Sequence, residues 1–578
     1  MLNINYNLQM RIKNIAQKDW FVPLVSFVLA IILINPLGHY AINDDWDFYT
    51  HVKNFRQGDF IKNSLIDSSF VLQGLLGTLW SSVFGFNYNS LRVLTTLVTV
   101  AFILGLVRLM QEAKLEHRLI IIGSISIIFN SFVLMSSVSF MTEMYFLCLV
   151  IWSIYFLVKY INLGLKKYFI LAMVLSSLSI LVRQIGLLVA PVFLLIIFCR
   201  DLADKKLEWK KYIYGALILI ACSVINFLWP QYPLGGVKAI NFFNQSKESI
   251  SNAKWLYEMI YYAIPYFGFI LIPIGMGIFC KLGIKQKVIS VALVLLIFNS
   301  FYSVNIFKFG NVLYPEALMI KNNYMHHFTV LDNIAFKIFL NSVCLLSFFS
   351  VILGVINLRK MFNQVTVWTL FMIGLSLTLP TLAYLGFFDR YLINGMAVLV
   401  VFLLVILSRV PDIHKIISLK VSYVFLIYYC FYNLFLVQDF ILTTKTEWKN
   451  AENLKTVKNV GNKIFLSDTY TRFNSVFVKA NNASLNKAMP SGIDYQCYVQ
   501  RKAVKDSKNS IYQFIDRLNS YPVVVKNFDN PGVFQEKNLP GFREITKDKS
   551  KIVFTEQIYP FVEAVTGNKV FIVTYCNY

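Results

Sequence analysis

Thirteen apolar runs, each close to the thickness of a bilayer, occupy the first 440 residues of this 578-residue chain. They fall near 20–38, 92–110, 119–136, 141–158, 168–182, 185–199, 212–229, 259–280, 288–306, 334–357, 365–385, 391–408 and 421–440. A helix crossing the hydrocarbon core needs about 20 mostly apolar residues. Within lipid, only helices and closed barrels satisfy every backbone polar group. The pattern therefore predicts an all-α polytopic membrane protein with about 13 transmembrane helices. The fifth and sixth runs are short and divided by Arg183-Gln184, so they read as one broken hairpin or as two short spans. Residues 1–19 are polar and mildly basic, and no small-residue cleavage site clearly follows the first run, which reads as a span that is retained.

Composition agrees. Hydrophobic residues make up 57% of the chain and charged residues 15%, against roughly half and a quarter in soluble domains. The 51 Phe and 32 Tyr suit lipid-facing surfaces and interfacial belts. The net charge of +23 is spread over short loops and the C-terminal segment. A basic stripe of the kind that tracks a phosphate backbone is missing, which argues against a nucleic-acid partner.

Lys and Arg set the orientation. With the N-terminus in the cytoplasm, the inner segments are 1–19, 108–118, 159–167, 200–211, 281–287, 359–360 and 409–420, and they hold 22 Lys/Arg against 7 Asp/Glu. The outer segments are much closer to balance. Three outer loops are long, at about 39–91, 230–258 and 307–333, and the stretch from Phe70 to Phe84 in the first reads as a helix lying along the membrane surface. From 441 to 578 the composition turns polar, and β-prone runs appear at 463–467, 522–526, 551–555 and 569–575 after a helix-like stretch near 446–460. This division predicts a transmembrane domain over 1–440 and a small extracytoplasmic α/β domain over 441–578. Six cysteines lie in or beside apolar runs and read as small core residues. Cys497 and Cys576 lie in the polar part, where they read equally as a bridged pair or as two thiols.

Several residues could carry chemistry. Asp44, Asp45 and Asp47 place three carboxylates within four residues at the outer end of the first span. Their mutual repulsion needs a cation, a proton or a basic partner to offset it, and one of them could serve as a general base. The same cluster also reads as a solvated loop with a capping Asp. Glu143 stands in a tight outer turn, as an active-site acid or as a first-turn Glu favoured by the helix dipole. Arg183 and Arg390 stand at the ends of spans, where a guanidinium is costly without a partner. Each could hold a phosphate or serve a structural ion pair, Arg390 with Asp389 or Arg183 with an outer carboxylate. His326 and His327 are adjacent, so in a helix or strand they point apart and make a poor pair of metal ligands. The chain has no GxxxxGK[ST], which argues against ATP-driven transport, and no nucleophile elbow or HExxH.

Together these positions resemble the GT-C glycosyltransferase superfamily, and within it the branch of aminoarabinose transferases and protein O-mannosyltransferases. The resemblance runs through Asp44-Asp45 followed by Tyr49, the stretch from Phe84 to Arg92 leading into the second span, Thr142-Glu143, Leu181 to Gly186 around Arg183, and Asp389-Arg390-Tyr391-Leu392. The family pair is often Asp-Glu rather than Asp-Asp, and its Pro-rich element is replaced here by Asp67-Ser68-Ser69-Phe70. The resemblance implies a multi-pass protein of the plasma or inner membrane. Its expected activity is inverting transfer of a sugar from a polyprenyl-phosphate donor to a glycan, lipid or protein acceptor at the outer face. It assigns Asp44 as general base with Asp45 supporting it, and Arg390 with Arg183 as donor phosphate ligands. Glu143 would orient the acceptor or help hold a divalent cation such as Mg or Mn, since some branches use a metal and others do not. Asp47, Tyr49, His326 and His327 stand at the margin of this assignment. Two other functions fit part of the pattern. One is a polymerase or ligase of polyprenyl-linked glycans, which would not need the Asp-Asp pair. The other is a transporter or flippase, which would carry ionisable residues near mid-span.

Overall fold

The computed structural model describes residues 18–40, 42, 45–60, 68–229, 253–301, 307, 334–356, 364–383, 389–410 and 412–453, with five short strands beyond them. The chain opens with α1 (Phe21–Ile34), closed by a left-handed Asn35, one of the few non-glycine residues that adopt this conformation readily. The segment after α1 carries α2 (Asp45–Arg56) and α3 (Val71–Phe84). Next come α4 (Tyr88–Glu112), α5 (His117–Ile128), α6 (Ser131–Ser137), α7 (Thr142–Leu163) and α8 (Lys166–Leu178). Two 3-10 turns, Ser179–Leu181 and Gln184–Leu188, lead into α9 (Val189–Ala203) and α10 (Trp209–Leu228). The bundle continues with α11 (Ala253–Ile270), α12 (Ile272–Lys281), α13 (Ile284–Phe301), α14 (Ile334–Val355) and α15 (Val365–Ala383). A 3-10 turn at Asp389–Leu392 precedes α16 (Ile393–Ser408), and the long α17 (Leu419–Asn453) completes the bundle.

Each expected apolar run falls on one of these helices or on a bent pair of them. Among the described residues, eight helices are long and apolar enough to cross a membrane, or ten if each bent pair is one span. Both α1 and α3 are apolar but shorter. The third run bends by 67° between α5 and α6, and the eighth by 85° between α11 and α12. At the first bend, Asn130 accepts from the Phe132 amide (3.0 Å) and donates to the Tyr429 hydroxyl (2.9 Å), while the Asn433 side chain accepts from the Ser131 amide (2.9 Å). Polar side chains of α17 thus replace the ladder bonds lost at the break. Elsewhere the spans pack through small residues. A Cβ on Gly268 would lie 2.2 Å from the Cys344 carbonyl oxygen, so α11 and α14 approach backbone to backbone.

The stretch from Phe70 to Phe84 forms the helix α3, and its faces are inverted relative to a helix on a soluble protein. Gln73, Gly74, Gly77 and Ser81 are buried, whereas Leu76, Leu79, Val83 and Phe84 are exposed. Such a helix suits a lipid boundary. Phe70, just before it, stacks on Phe48 of α2 (4.9 Å), and its amide donates to the Val182 carbonyl (3.2 Å).

Beyond the bundle, β1 (Ile464–Leu466) pairs parallel with β2 (Val523–Lys526), which pairs antiparallel with β3 (Phe534–Glu536). Strand β4 (Ile552–Gln557) pairs antiparallel with β5 (Phe571–Tyr575). Four of these strands lie on the expected β-prone runs, and β3 was not expected. Cys497 and Cys576 lie outside the described residues.

Candidate active site

The α6–α7 turn, the 3-10 segment after α8 and the turn before α16 converge on one buried point. Glu143, in the first turn of α7, is 1% exposed. Its Oε1 lies 3.1 Å from Arg183 Nη1 and 3.5 Å from Arg390 Nε. Both guanidiniums also lie over the ring of Tyr391, at 4.2 Å and 5.2 Å from its centroid. Arg390 Nη1 reaches the Met141 sulfur at 4.0 Å. Glu143 Oε2 is buried and has no hydrogen-bond partner among the described residues.

Local sequence explains how Arg183 arrives there. The helix of α8 ends early and tightens into the Ser179–Leu181 turn, and Arg183 itself is extended (φ −144°) between the two 3-10 segments. Gly186 closes the turn. A Cβ there would lie 2.5 Å from Ser179 Oγ and 2.7 Å from the Ile180 amide nitrogen, so no larger residue fits without displacing the segment.

A second buried pair anchors the segment between α1 and α4. Asp45 is the first residue of α2, and its Oδ1 accepts from the Ile42 amide at 2.6 Å. Its Oδ2 lies 3.6 Å from Arg92 Nη2 in α4, with both side chains almost fully buried. Arg92 Nη1 donates to the carbonyls of Pro36 (3.0 Å) and Gly38 (3.1 Å), and Nη2 donates to that of Tyr40. Its guanidinium also lies over the Tyr40 ring at 4.3 Å. Burial pushes the Tyr40 hydroxyl well above its usual range, so it stays neutral. Lys445 donates to the Asn35 carbonyl on the same strap, and burial and Arg92 lower its ammonium below the ordinary lysine value. Tyr49 is sandwiched between Phe86 (4.2 Å) and Tyr88 (4.1 Å), and its hydroxyl is raised by burial.

The expected site residues therefore divide. Glu143, Arg183 and Arg390 are brought together, and Asp45 and Tyr49 are held in the packing of the first loop. Asp44, His326 and His327 lie outside the described residues, as does the side chain of Asp47. Arg183 pairs with the carboxylate of Glu143, and the same carboxylate also pairs with Arg390. Arg92 went unrecognised as a functional candidate, although an Arg in the first turn of an apolar span signals a buried partner. Among the described residues, no group of three His, Cys, Asp or Glu could hold a metal ion. Asp45 and Glu143 each already face a guanidinium, so they fit a divalent cation poorly.

By length and composition, these helices define a multi-pass membrane protein. Solved structures similar to it include the oligosaccharyltransferase of Archaeoglobus fulgidus in complex with zinc and sulfate, at 15% identity and a TM-score of 0.43, covering 78% of this chain. The chain spans 60% of the length of that oligosaccharyltransferase. ArnT from Cupriavidus metallidurans bound to undecaprenyl phosphate is similar at 9% identity and a TM-score of 0.41, with 96% of this chain and 98% of that one covered. ArnT in the apo state is similar at 9% identity and a TM-score of 0.37, with 78% and 84% covered. No protein-family model and no curated protein sequence matches the chain.

Proposed function

We propose that this protein is a GT-C-type glycosyltransferase that moves a sugar from a polyprenyl-phosphate donor to a glycan, lipid or protein acceptor at the outer face of the membrane. The observation that carries this reading is the convergence of Arg183 and Arg390 on a single oxygen of buried Glu143. The lipid tail of the donor calls for a membrane groove, and guanidinium donors at the groove's end suit its phosphate. Arg390 and Arg183 bind the phosphate and stabilise the charge that grows on it as the glycosidic bond breaks. Glu143 holds the two guanidiniums in register.

In this reading Asp44 takes the proton from the acceptor oxygen, which attacks the anomeric carbon in one displacement and inverts it. Asp45 fixes the start of α2 through Ile42 and Arg92.

The test is transfer by the purified full-length protein from a polyprenyl-phosphate sugar to candidate acceptors. Asp44→Asn is expected to abolish transfer while leaving undecaprenyl-phosphate binding intact. Arg390→Ala and Arg183→Ala are each expected to weaken that binding by about 10- to 100-fold, the worth of a charge-assisted bond. Undiminished transfer by Asp44→Asn removes the base assignment, and undiminished binding by both arginine variants removes the phosphate site.

A further inference from the structure

Helix α7 is 22 residues long, about 33 Å at the ordinary helical rise. Glu143 lies in its first turn, so its last turn lies near the opposite membrane face. There the end of α7, the start of α8, the end of α9 and the start of α10 form a dense charge cluster. Its acids are matched one to one. Asp201 is held by Lys211 and by the Tyr212 hydroxyl (2.5 Å), Glu208 by Lys166 (2.8 Å) and Asp204 by Arg200 (3.7 Å). Glu112, at the end of α4, bonds instead to Asn162 (2.7 Å). Lys159, Lys167, Lys205, Lys206 and Lys210 have no ion-pair partner among the described residues.

Two further observations say what this surplus meets. Lys159 lies over the rings of Tyr155 (5.2 Å) and Tyr168 (4.8 Å), and Lys167 lies over Tyr168 (5.2 Å), so aromatic faces hold both ammonium groups at the helix ends. Around the cluster, Leu163, Leu165, Leu202, Trp209, Ile213 and Tyr214 are exposed. Basic heads above an exposed apolar and aromatic rim make the pattern of a lipid headgroup zone. Clusters of four to eight basic residues beside spans bind anionic headgroups, with each lysine contributing separately. We infer that this cluster is a binding site for anionic phospholipid in the leaflet opposite the candidate active site, with Lys205, Lys206 and Lys210 contacting the phosphates. The inference is independent of the glycosyltransferase reading.

The test uses the full-length protein in nanodiscs and detergent, with native mass spectrometry and thermal unfolding as readouts. The wild type is expected to retain phosphatidylglycerol over phosphatidylcholine, with the preference falling as salt rises. The triple variant K205Q/K206Q/K210Q is expected to bind phosphatidylglycerol about 100-fold more weakly, whereas K205R/K206R/K210R keeps the preference. Inorganic phosphate at millimolar concentration is expected neither to stabilise the protein nor to displace the lipid. A wild type without preference for the anionic lipid overturns the inference, whatever the variants do. So does a triple Gln variant that folds and keeps the preference. Displacement of the lipid by inorganic phosphate would make the ligand a soluble anion, and that also overturns it.

Discussion

Arg92 and Asp45 stand 47 residues apart in sequence, yet their side chains meet at 3.6 Å with almost no solvent around either. Arg92 gathers the carbonyls of residues 36, 38 and 40 on the same guanidinium. It therefore ties the exit of α1 to the entrance of α2, the segment that contains Asp44. Arg92→Ala removes a buried cation from beside the Asp45 carboxylate and takes a donor from three carbonyls. It is expected to destabilise the protein by about 3–5 kcal/mol, the usual result of breaking a buried pair from one side. Arg92→Lys is expected to recover only part of this, because an ammonium lacks the planar fork. Thermal unfolding in lipid nanodiscs measures both. A midpoint for Arg92→Ala equal to wild type would show that the strap is held by other contacts.

Glu143 between Arg183 and Arg390 makes a charge-coupled triad that a double-mutant cycle resolves. Glu143→Gln leaves two buried guanidiniums facing each other, whereas Arg183→Gln leaves one ion pair. Glu143→Gln is therefore expected to be the more destabilising of the two, and adding Arg183→Gln to it is expected to restore stability. The coupling energy is expected in the range of about 1–3 kcal/mol. Additive losses in chemical denaturation would mean that the three side chains do not share one site.

Gly186 sets the path of the chain around Arg183. Its missing Cβ leaves the room that Ser179 and Ile180 occupy. Gly186→Ala is expected to cost about 1–3 kcal/mol through overpacking and to weaken undecaprenyl-phosphate binding, although residue 186 has no side chain with which to touch a ligand. Isothermal titration separates the outcomes, since wild-type affinity in the variant would place the Arg183 turn outside the binding machinery.

At the α5–α6 bend, Tyr429→Phe removes the acceptor for the Asn130 amide at a fully buried position. The expected loss is about 1–3 kcal/mol, the cost of leaving a buried donor unsatisfied. If hydrogen exchange at residues 128–134 stays at the wild-type rate, the bend does not depend on this bond.

The spans were legible because lipid leaves the backbone few options, and an apolar run of sufficient length has to be a helix. The charged candidates at span ends were legible for a related reason, since an Arg such as Arg390 is not tolerated there without a partner. The pairing itself was not legible. That Arg390 meets Glu143 depends on how the α6–α7 turn and the turn before α16 pack, and periodicity carries no information about that. Arg92 signals a buried partner by its position, but its partners are mostly backbone carbonyls, whose identity has no sequence signature. The breaks at Asn130 and Leu271 lie inside runs whose hydropathy is unbroken, because the groups that repair the first of them come from α17, about 300 residues away.

The inverted faces of α3 carry a last consequence. Its oily side points outward and its small side points inward, so surrounding lipid pushes the helix into place as much as the protein interior holds it. Phe70 sits at its start and is bonded to the carbonyl immediately before Arg183. The bilayer thereby becomes a structural component of the candidate site. Harsh, small-micelle detergents would slacken that rim before melting the bundle, and the Arg183 turn would loosen while every helix still showed by circular dichroism.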